Sequence, residues 1–290
     1  MSISSSLLLC LNKCFKPPKH PFNLRTSGES TYARWQYEKG GQTLNFYLAY
    51  ATAAEMFEGK TVLDVGCGAA GKSVYYASLG AEKVVGLDVL EQYREEAVKL
   101  ADEKGFGDRF EFVCADAANT GFSDGAFDTV IMNDAVEHVA RPAETLRECL
   151  RMLKPGGKLF LNFPPYYHPY GAHLSDAISV PWVHALFSEK TLIRVYRKLA
   201  GRMPDGDERI ALRISMKPDG TEYLSFFNRM TVRRFEGLLR EIPAKCLYYH
   251  EEPLRKFLRP ISRLPGFREF FVKMVVAVLE PADADANAAG

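Results

Sequence analysis

A glycine-rich turn between two acidic residues is the part of this 290-residue sequence best suited to chemistry. Asp64 precedes the pattern Gly66-x-Gly68-x-x-Gly71, and Asp88 follows about 20 residues after the glycines. Glycines allow the backbone to approach a ligand closely because no Cβ stands in the way. Asp88 comes at the end of a predicted strand, where its carboxylate can accept hydrogen bonds from ribose hydroxyls. The pattern therefore predicts a nucleoside-binding site.

Two kinds of nucleoside ligand fit this turn. The glycine spacing is also that of dinucleotide-binding turns, in which a helix N-terminus faces a pyrophosphate. Asp64 argues against a dinucleotide, because a carboxylate at that position would repel a phosphate and would suit a cationic α-amino group instead. An NAD-dependent oxidoreductase stays an alternative hypothesis for this chain.

Alternating strands and helices must position these residues. Five short apolar strands are predicted with helical segments between them, at residues 61–65, 83–87, 110–114, 127–132 and 158–163. Such alternation is typical of βαβ crossovers and a mostly parallel sheet. A further helix is predicted over residues 43–58, just before the first strand.

The alternation ends at Pro164, and two more strands are predicted near residues 245–249 and 271–279. We therefore predict five segments along the chain. They are an N-terminal lid segment (1–45), a Rossmann-like cofactor-binding core (46–163), a substrate-binding insertion and helix (164–243), the final two strands with a basic amphipathic insert (244–281), and a disordered tail (282–290). The aromatic run at residues 32–37 is interpreted as a lid over the cofactor, with plain packing as the alternative.

Four sequence motifs, in this order, resemble the class I S-adenosylmethionine-dependent methyltransferases. They are LDVGCGAAG, VVGLDVL, ADAANTGFSDGAFDTVIMNDAVEHV and LKPGGKLFL, and the resemblance covers residues 60–165 and the last two strands. It implies a Rossmann-like α/β fold with a seven-stranded, mostly parallel sheet whose last strand is antiparallel. The end of the alternation at Pro164 adds the prediction of a helical insertion after the fifth strand. It also implies methyl transfer from S-adenosylmethionine.

The resemblance implies a cofactor role for nine residues, carried over by their positions in the motifs. They are Asp64, Gly66, Cys67 and Gly68 for the methionine part, Asp88 for the ribose, Val89, Asp116 and Ala117 for the adenine, and Asn133 for the methionine again. S-adenosylmethionine carries a sulfonium, an ammonium and a carboxylate but no phosphate. Its site therefore needs paired charges and a close backbone.

The segment from Asp134 to His138 has three interpretations. Glu137 and His138 can cap the following helix and orient the loop, as is common in the superfamily. His138 can instead act as a general base, because histidine has an unperturbed pKa of about 6.5. Asp134, Glu137 and His138 can also be metal ligands, in a spacing that resembles the metal-using small-RNA and ubiquinone-pathway methyltransferases. A divalent metal is the least favoured of these predictions.

An aromatic segment follows the fifth strand, at the edge of the sheet where ligands bind in open α/β folds. Its side chains can line the acceptor pocket or form a packed surface loop. The predicted pocket residues are Phe163, Tyr166, Tyr167 and Tyr170. His168 and His173 lie in the same segment and are rival candidates for the base.

The near-zero net charge conceals an uneven distribution. The chain has 37 Lys and Arg against 36 Asp and Glu, but residues 189–274 carry 19 against 11, a net charge of +8. Within this part, residues 254–270 alternate basic and apolar side chains, which is typical either of a solvated face or of a membrane-surface contact. Nucleic acid is not favoured as a partner, because the basic residues are interleaved with apolar ones.

The predicted function is methyl transfer from S-adenosylmethionine to a small aromatic or lipid-like acceptor, with O-methylation slightly favoured over C or N. Alternatives are a metal-assisted or RNA-directed methyltransferase and an NAD-dependent oxidoreductase. Six cysteines without a C-x-x-C pair indicate neither a zinc site nor a disulfide framework. The apolar patch at residues 7–9 is too short for a secretory signal. We therefore predict a cytoplasmic protein that can lie at the periphery of a membrane. The sequence leaves the oligomeric state open.

Overall fold

The computed structural model of the chain describes residues 2–264 and 266–282. Its strands are β1 (Thr61–Val65), β2 (Lys83–Asp88), β3 (Phe110–Cys114), β4 (Phe127–Asn133), β5 (Leu153–Phe163), β6 (Ile214–Met216), β7 (Glu222–Leu224), β8 (Ala244–Pro253) and β9 (Val272–Pro281). The chain forms two compact units. The sheet unit comprises Tyr32–Phe163, Val232–Glu252 and the described residues from Met274 onward. The insertion unit comprises the described residues up to Thr31, together with Pro164–Thr231 and Pro253–Lys273.

The helices are distributed over both units. In the sheet unit they are α3 (Tyr32–Leu44), α4 (Ala53–Phe57), α5 (Gly71–Ser78), α6 (Arg94–Glu103), α7 (Pro142–Arg151) and α11 (Val232–Glu241). In the insertion unit they are α1 (Ile3–Asn12), α2 (Pro21–Ser27), α8 (Val183–Leu186), α9 (Glu189–Ala200), α10 (Gly206–Arg213), α12 (Arg259–Ser262) and α13 (Arg268–Phe271). No helix in the described parts of the chain has the length and apolar character needed to cross a bilayer.

The sheet has seven strands in the order β3-β2-β1-β4-β5-β9-β8. Strands β1 to β5 pair in parallel, whereas β9 runs antiparallel to β5. This topology confirms the predicted Rossmann-like sheet with an antiparallel last strand. Because the carboxyl ends of parallel strands meet at one edge, the segments after β1, β2 and β4 come together there.

The central strands are buried along most of their length because helices cover both faces of the sheet. Strand β1 buries all but its first residue, and strand β9 buries Val275 to Leu279 completely. Helix α5 and Tyr47 pack in the same core as these strands. The sheet is therefore a rigid support for the loops at its carboxyl edge.

The predicted helix over residues 43–58 is wrong. Helix α3 ends at Leu44, and a separate helix α4 begins after Thr52. Thr52 and Glu55 form a reciprocal capping box, in which the Thr52 side chain accepts the Glu55 N–H and the Glu55 carboxylate accepts the Thr52 N–H. A capping box starts a new helix because it satisfies N–H groups that have no partner inside the helix.

The insertion unit combines helices with a two-stranded antiparallel sheet of β6 and β7. Its apolar core includes Leu8, Ile178, Leu192 and Tyr196. Residues 2–31 pack in this unit and α3 packs in the sheet unit, so the two units divide the described part of the predicted 1–45 segment between them. Apart from Ala282, the predicted disordered tail lies outside the described residues.

Three fully buried charges lie inside the insertion unit. Asp176 is placed 3.1 Å from Arg209 and 3.4 Å from Arg213, measured between carboxylate oxygens and guanidinium nitrogens. Arg209 also bonds the side chain of Asn23 on α2 at 2.7 Å. Buried charges of this kind persist only when they are paired, and here they tie α2 to the inserted segment.

Candidate cofactor site

The loop after β1 needs glycine at two positions for different reasons. Gly66 and Gly68 both have positive φ angles, of 72° and 56°. A Cβ on Gly66 would lie 2.6 Å from the Cβ of Ala135, and a Cβ on Gly68 would lie 3.2 Å from atoms of Gln36 and Tyr32. Glycine thus relieves a left-handed backbone at both positions, and at Gly66 it also avoids a clash with Ala135.

Asp88 holds this loop at the carboxyl end of β2. One carboxylate oxygen accepts the N–H of Gly68 at 2.8 Å, and the other accepts the N–H of Leu90 at 2.9 Å. Burial raises the pKa of Asp88, against the effect of these N–H donors. Each oxygen keeps a second lone pair that can accept a hydroxyl. The adjacent Val89 side chain is exposed and offers an apolar surface to a nucleobase.

Asp64 is a buried carboxylate at the end of β1. Its oxygen accepts a hydrogen bond from the Ser73 hydroxyl on α5 at 2.6 Å. Burial raises the pKa of Asp64 to about 6, although the Ser73 bond and the charge of Lys72 act in the opposite direction. A carboxylate that is costly to ionise alone is stabilised by a nearby cation. Asp64 therefore suits the ammonium group that the sequence predicted for it.

Helix α3 occupies the N-terminus of α5. The Gln36 amide donates to the carbonyl of Cys67 at 3.1 Å, and its oxygen accepts the N–H of Gly71 at 3.2 Å. A Cβ on Gly71 would lie only 1.9 Å from the carbonyl oxygen of Ala33. The first N–H of α5 thus already has a partner, and a pyrophosphate at this helix end would have to displace Gln36. Sequence reasoning missed Gln36, because no motif connects it to the glycine turn.

Asn133 lies in a buried hydrogen-bond network. Asn133 and Asn162 are paired across β4 and β5, and the Asn162 amide donates to the Asn133 oxygen at 2.6 Å. The hydroxyl of Tyr47 donates to the same oxygen, and the Asn133 amide donates to the hydroxyl of Tyr76 at 2.9 Å. The side chain of Asn133 is thus engaged within the protein. Its predicted role toward the methionine moiety stays a prediction.

Asp116 already has two partners at the mouth of the predicted adenine site. It accepts the N–H of Ala118 at 2.9 Å, and it pairs with Arg141 at 2.6 Å. The N–H donor and then the arginine lower the pKa of Asp116. An adenine amino group would share this exposed carboxylate with Arg141. Ala117, the residue after Asp116, is half-buried. The adenine roles of Asp116 and Ala117 stay predictions.

The turn after β4 brings charged residues close to the glycine loop. Asp134 has a positive φ of 52° and pairs with Lys72 at 3.0 Å. Glu137 is only 2% exposed, and neither of its carboxylate oxygens has a hydrogen-bond partner among the described residues. Burial, followed by the charge of Asp134, raises the pKa of Glu137 well above its usual range. Its oxygen lies 3.8 Å from the nearer ring nitrogen of His138.

The predicted metal ligands do not converge as a set. Asp134 pairs with a lysine of the protein, and it belongs to no cluster with metal-ligand spacing in the described part of the chain. The metal site of Asp134, Glu137 and His138 therefore stays a prediction, and the least favoured one.

Comparison with known proteins identifies the fold around this site. Residues 63–161 match a family model described as a methyltransferase domain. Over this segment the chain is similar to methyltransferase domains, as the resemblance to the class I superfamily predicted. The sequence resemblance to this superfamily is thereby confirmed for the segment that carries Asp64, Asp88 and His138.

Similar proteins match mainly through this methyltransferase domain. A ubiquinone biosynthesis O-methyltransferase of Parvibaculum lavamentivorans is 36% identical over 144 residues, which cover 50% of this chain and 52% of the relative. A chloroplastic tocopherol O-methyltransferase of Arabidopsis thaliana is 33% identical, with 35% of this chain and 29% of the relative covered. The matches thus span about half the length of these relatives or less.

A solved structure shows the same fold over most of the chain. Geranyl diphosphate methyltransferase, determined in complex with S-adenosylmethionine, has a TM-score of 0.54 and 15% identity, covering 92% of this chain and 93% of that protein. At this identity the likeness concerns the fold alone.

The predicted acceptor residues lie mostly outside the methyltransferase domain. Phe163 is buried in the sheet unit, with its ring centroid 5.0 Å from that of Phe235. Tyr166 and Tyr167 belong to the insertion unit, where their ring centroids are 5.1 Å apart and the Tyr166 ring is 4.8 Å from His184. An aromatic cluster therefore exists within the insertion unit. Its role as an acceptor pocket stays a prediction.

The rival histidines have different surroundings within the insertion unit. His168 accepts the N–H of Tyr170 through Nδ1 at 3.3 Å, and burial lowers the pKa of His168 to about 4. His173 has a positive φ of 51°, and its ring stacks on Phe227 at 5.8 Å. His168 is thus neutral near pH 7 but is a weak base. The assignment of the base to His138, His168 or His173 stays a prediction.

Proposed function

We propose that this chain transfers a methyl group from S-adenosylmethionine to a small aromatic or lipid-like acceptor, with oxygen favoured as the attacked atom. One observation carries the proposal. Asp88 holds the glycine loop as a nucleoside-binding turn, while Gln36 occupies the helix N–H that a dinucleotide phosphate would use. The arrangement favours a nucleoside with a cationic amino acid part over a dinucleotide.

The proposed site matches the cofactor group by group. S-adenosylmethionine supplies an electrophilic methyl on a sulfonium. Asp64 would hold the α-amino group, and the oxygens of Asp88 would accept the ribose hydroxyls. Val89 would cover one face of the adenine, burying apolar surface that is exposed in this structure. The protein contributes mainly orientation and exclusion of water, which can account for a large part of the rate of a displacement reaction.

Two observations support an aromatic or lipid-like acceptor. The relatives described above are named as an O-methyltransferase of ubiquinone biosynthesis and a tocopherol O-methyltransferase. The insertion unit of this chain contains the aromatic cluster around Tyr166 and Tyr167. A lipid-like acceptor would be delivered at a membrane, and we include peripheral membrane contact through residues 254–270 in the proposal.

Ligand titration tests the cofactor assignment. We expect S-adenosylmethionine and its demethylated product to bind with micromolar dissociation constants, and NADH to bind much more weakly. Isothermal calorimetry on the full chain measures all three affinities. Tight binding of NADH without binding of S-adenosylmethionine would overturn the proposal.

The affinity for S-adenosylmethionine is expected to rise with pH between about 5 and 7. The pKa of Asp64 is raised to about 6 by burial, so the carboxylate is largely protonated below that value. Binding the ammonium requires the ionised form, and affinity should therefore fall by up to about tenfold for each pH unit below 6. Calorimetry across this range measures the profile.

Two variants check that Asp64 causes the pH dependence. Asp64→Asn should weaken binding at pH 8 and flatten the profile. Ser73→Ala removes the hydrogen bond that opposes burial and should move the profile to higher pH. An unchanged profile in both variants would remove Asp64 from the ammonium site.

His138→Ala is expected to lower the turnover of methyl transfer to a hydroxyl acceptor more than it lowers cofactor affinity. A positioned base contributes about 10²- to 10⁴-fold to a rate, whereas the predicted cofactor contacts lie elsewhere. Steady-state assays with a phenolic acceptor give kcat, and calorimetry gives the affinity. His250→Ala is the control, because His250 pairs with Glu252 in the sheet unit and has no predicted role. Full activity of His138→Ala would transfer the base role to His168 or His173, or to no base.

A further inference from the structure

The described residues of the segment 254–270 combine a high positive charge with exposed basic side chains. Its basic residues are Arg255, Lys256, Arg259, Arg263 and Arg268, and no acidic residue occurs before Glu269. Three of them, Arg255, Lys256 and Arg259, are exposed and form no ion pair with another described residue. Arg229, in contrast, is an exposed arginine of the insertion unit that is paired, with Glu189 at 3.0 Å.

Large apolar side chains are exposed between these basic residues. Phe257, Ile261, Leu264 and Phe267 are exposed by 77%, 37%, 52% and 53%. They are four of the twelve exposed large apolar side chains among the described residues, and they lie within eleven consecutive positions. Single exposed apolar residues are normal on a protein surface, but such a concentration marks an interaction site.

The base of the segment is anchored in the insertion unit. The N–H of Leu254 donates to the carbonyl of Phe271 at 2.7 Å, which closes the segment as a loop. The ring of Phe270 packs 5.0 Å from that of Tyr167, and the ring of Phe271 packs 6.3 Å from that of Trp182. The ring of Phe270 thus packs within the insertion unit, whereas the rings of Phe257 and Phe267 are exposed. Tyr167, on which it rests, is also one of the predicted acceptor residues.

We propose that the exposed side of residues 254–270 docks on an anionic lipid bilayer surface. Apolar side chains interleaved with unpaired basic ones fit such a surface, because the former enter the acyl boundary while the latter meet anionic headgroups. A nucleic acid would use the charges but would leave the aliphatic side chains of Ile261 and Leu264 without a partner. The inference rests on the proposed function and deepens it, because a membrane would supply a lipid-like acceptor.

Vesicle co-sedimentation of the full chain tests the docking surface. We expect binding to vesicles that mix phosphatidylcholine with phosphatidylglycerol, weak binding to phosphatidylcholine alone, and a decrease in binding at high salt. The double variant R259Q/R263Q should lower the partition coefficient on anionic vesicles about 30-fold, from the contribution of two basic residues at a membrane surface. The double variant F257S/F267S should also lower the partition coefficient on anionic vesicles. A larger share of its remaining binding should be sensitive to salt.

Matched controls carry the same changes elsewhere in the insertion unit. Leu186→Ser alters an exposed apolar side chain, and Arg202→Gln alters an exposed basic one, so neither should change vesicle binding. Equal partition onto neutral and anionic vesicles, or undiminished binding of both double variants, would overturn the inference. Binding to RNA but not to anionic vesicles would also overturn it, in favour of a nucleic-acid surface.

Calorimetry with S-adenosylmethionine on the same samples separates this inference from the proposed function. Loss of vesicle binding with unchanged cofactor affinity in the double variants would support the docking surface and would leave the cofactor assignment unaffected. Absence of cofactor binding in the unaltered chain, with vesicle binding intact, would overturn the proposed methyl transfer but not the docking of residues 254–270 on vesicles.

Discussion

Replacing Asp88 with alanine is expected to weaken S-adenosylmethionine binding by at least about 100-fold. In the proposed site the carboxylate accepts two ribose hydroxyls, and hydrogen bonds to a charged group contribute about 1.5–3 kcal/mol each. The change also removes the acceptor of the Gly68 and Leu90 N–H groups, so the loop loses the contact that fixes its shape. Calorimetry with the cofactor and with its demethylated product measures the effect.

The control for Asp88→Ala is Asp128→Ala. Asp128 also lies in the sheet unit and accepts a backbone N–H, from Thr61 at 2.9 Å, but at the amino end of the parallel strands. Its loss should lower the free energy of unfolding and leave cofactor affinity nearly unchanged. Asp88→Asn should fall between the unaltered protein and Asp88→Ala, because an amide oxygen can still accept one donor. Unchanged affinity in Asp88→Ala would remove this residue from the ribose role.

Gly71→Ala is expected to lower the free energy of unfolding by about 2–3 kcal/mol. The added Cβ would lie 1.9 Å from the Ala33 carbonyl oxygen and 2.6 Å from the Tyr37 nitrogen, and both are backbone atoms that cannot move independently of α3. Overpacking a rigid contact costs about 1–3 kcal/mol, and here α3 must shift away from α5. Urea unfolding followed by circular dichroism measures the change.

Gly237→Ala provides the matched control for Gly71→Ala. Gly237 lies within helix α11, and a Cβ there would meet only the end of the flexible Arg240 side chain at 4.0 Å. Alanine is favoured over glycine in an open helix position by up to about 1 kcal/mol, so this variant should be slightly more stable. If Gly71→Ala were equally stable, the close packing of α3 on α5 would be wrong.

Gly71 is required for a reason that the spacing of the glycines did not predict. The spacing of the three glycines suggested a turn that faces a ligand. In the structure, Gly66 and Gly68 have left-handed backbone conformations next to the site, whereas Gly71 is required by the backbone of another helix. Only the position of α3, which begins nearly 40 residues earlier in the chain, separates these two reasons.

Helix α3 was not predicted from the sequence, which placed a single helix over residues 43–58 instead. Gly40 and Gly41 lie inside it, although glycine is unfavourable in a helix interior. Gly40 is tolerated because a Cβ there would lie 2.3 Å from the ring of Tyr75, so the close contact with α5 requires a glycine. Tertiary packing therefore outweighs the low helix propensity of glycine at this position.

The sequence by itself determined the sheet, the cofactor turn and the superfamily. Strand periodicity, glycines before a helix and an acidic residue at the end of the second strand are local features, and their order along the chain dictates which loops meet at the carboxyl edge. Only the tertiary structure decided which partners those residues have. Gln36 on the α5 N-terminus, Lys72 beside Asp134 and Tyr47 on Asn133 are contacts between residues 35, 62 and 86 positions apart. No local pattern encodes such contacts, because they arise when separately formed elements pack together and bury their polar groups.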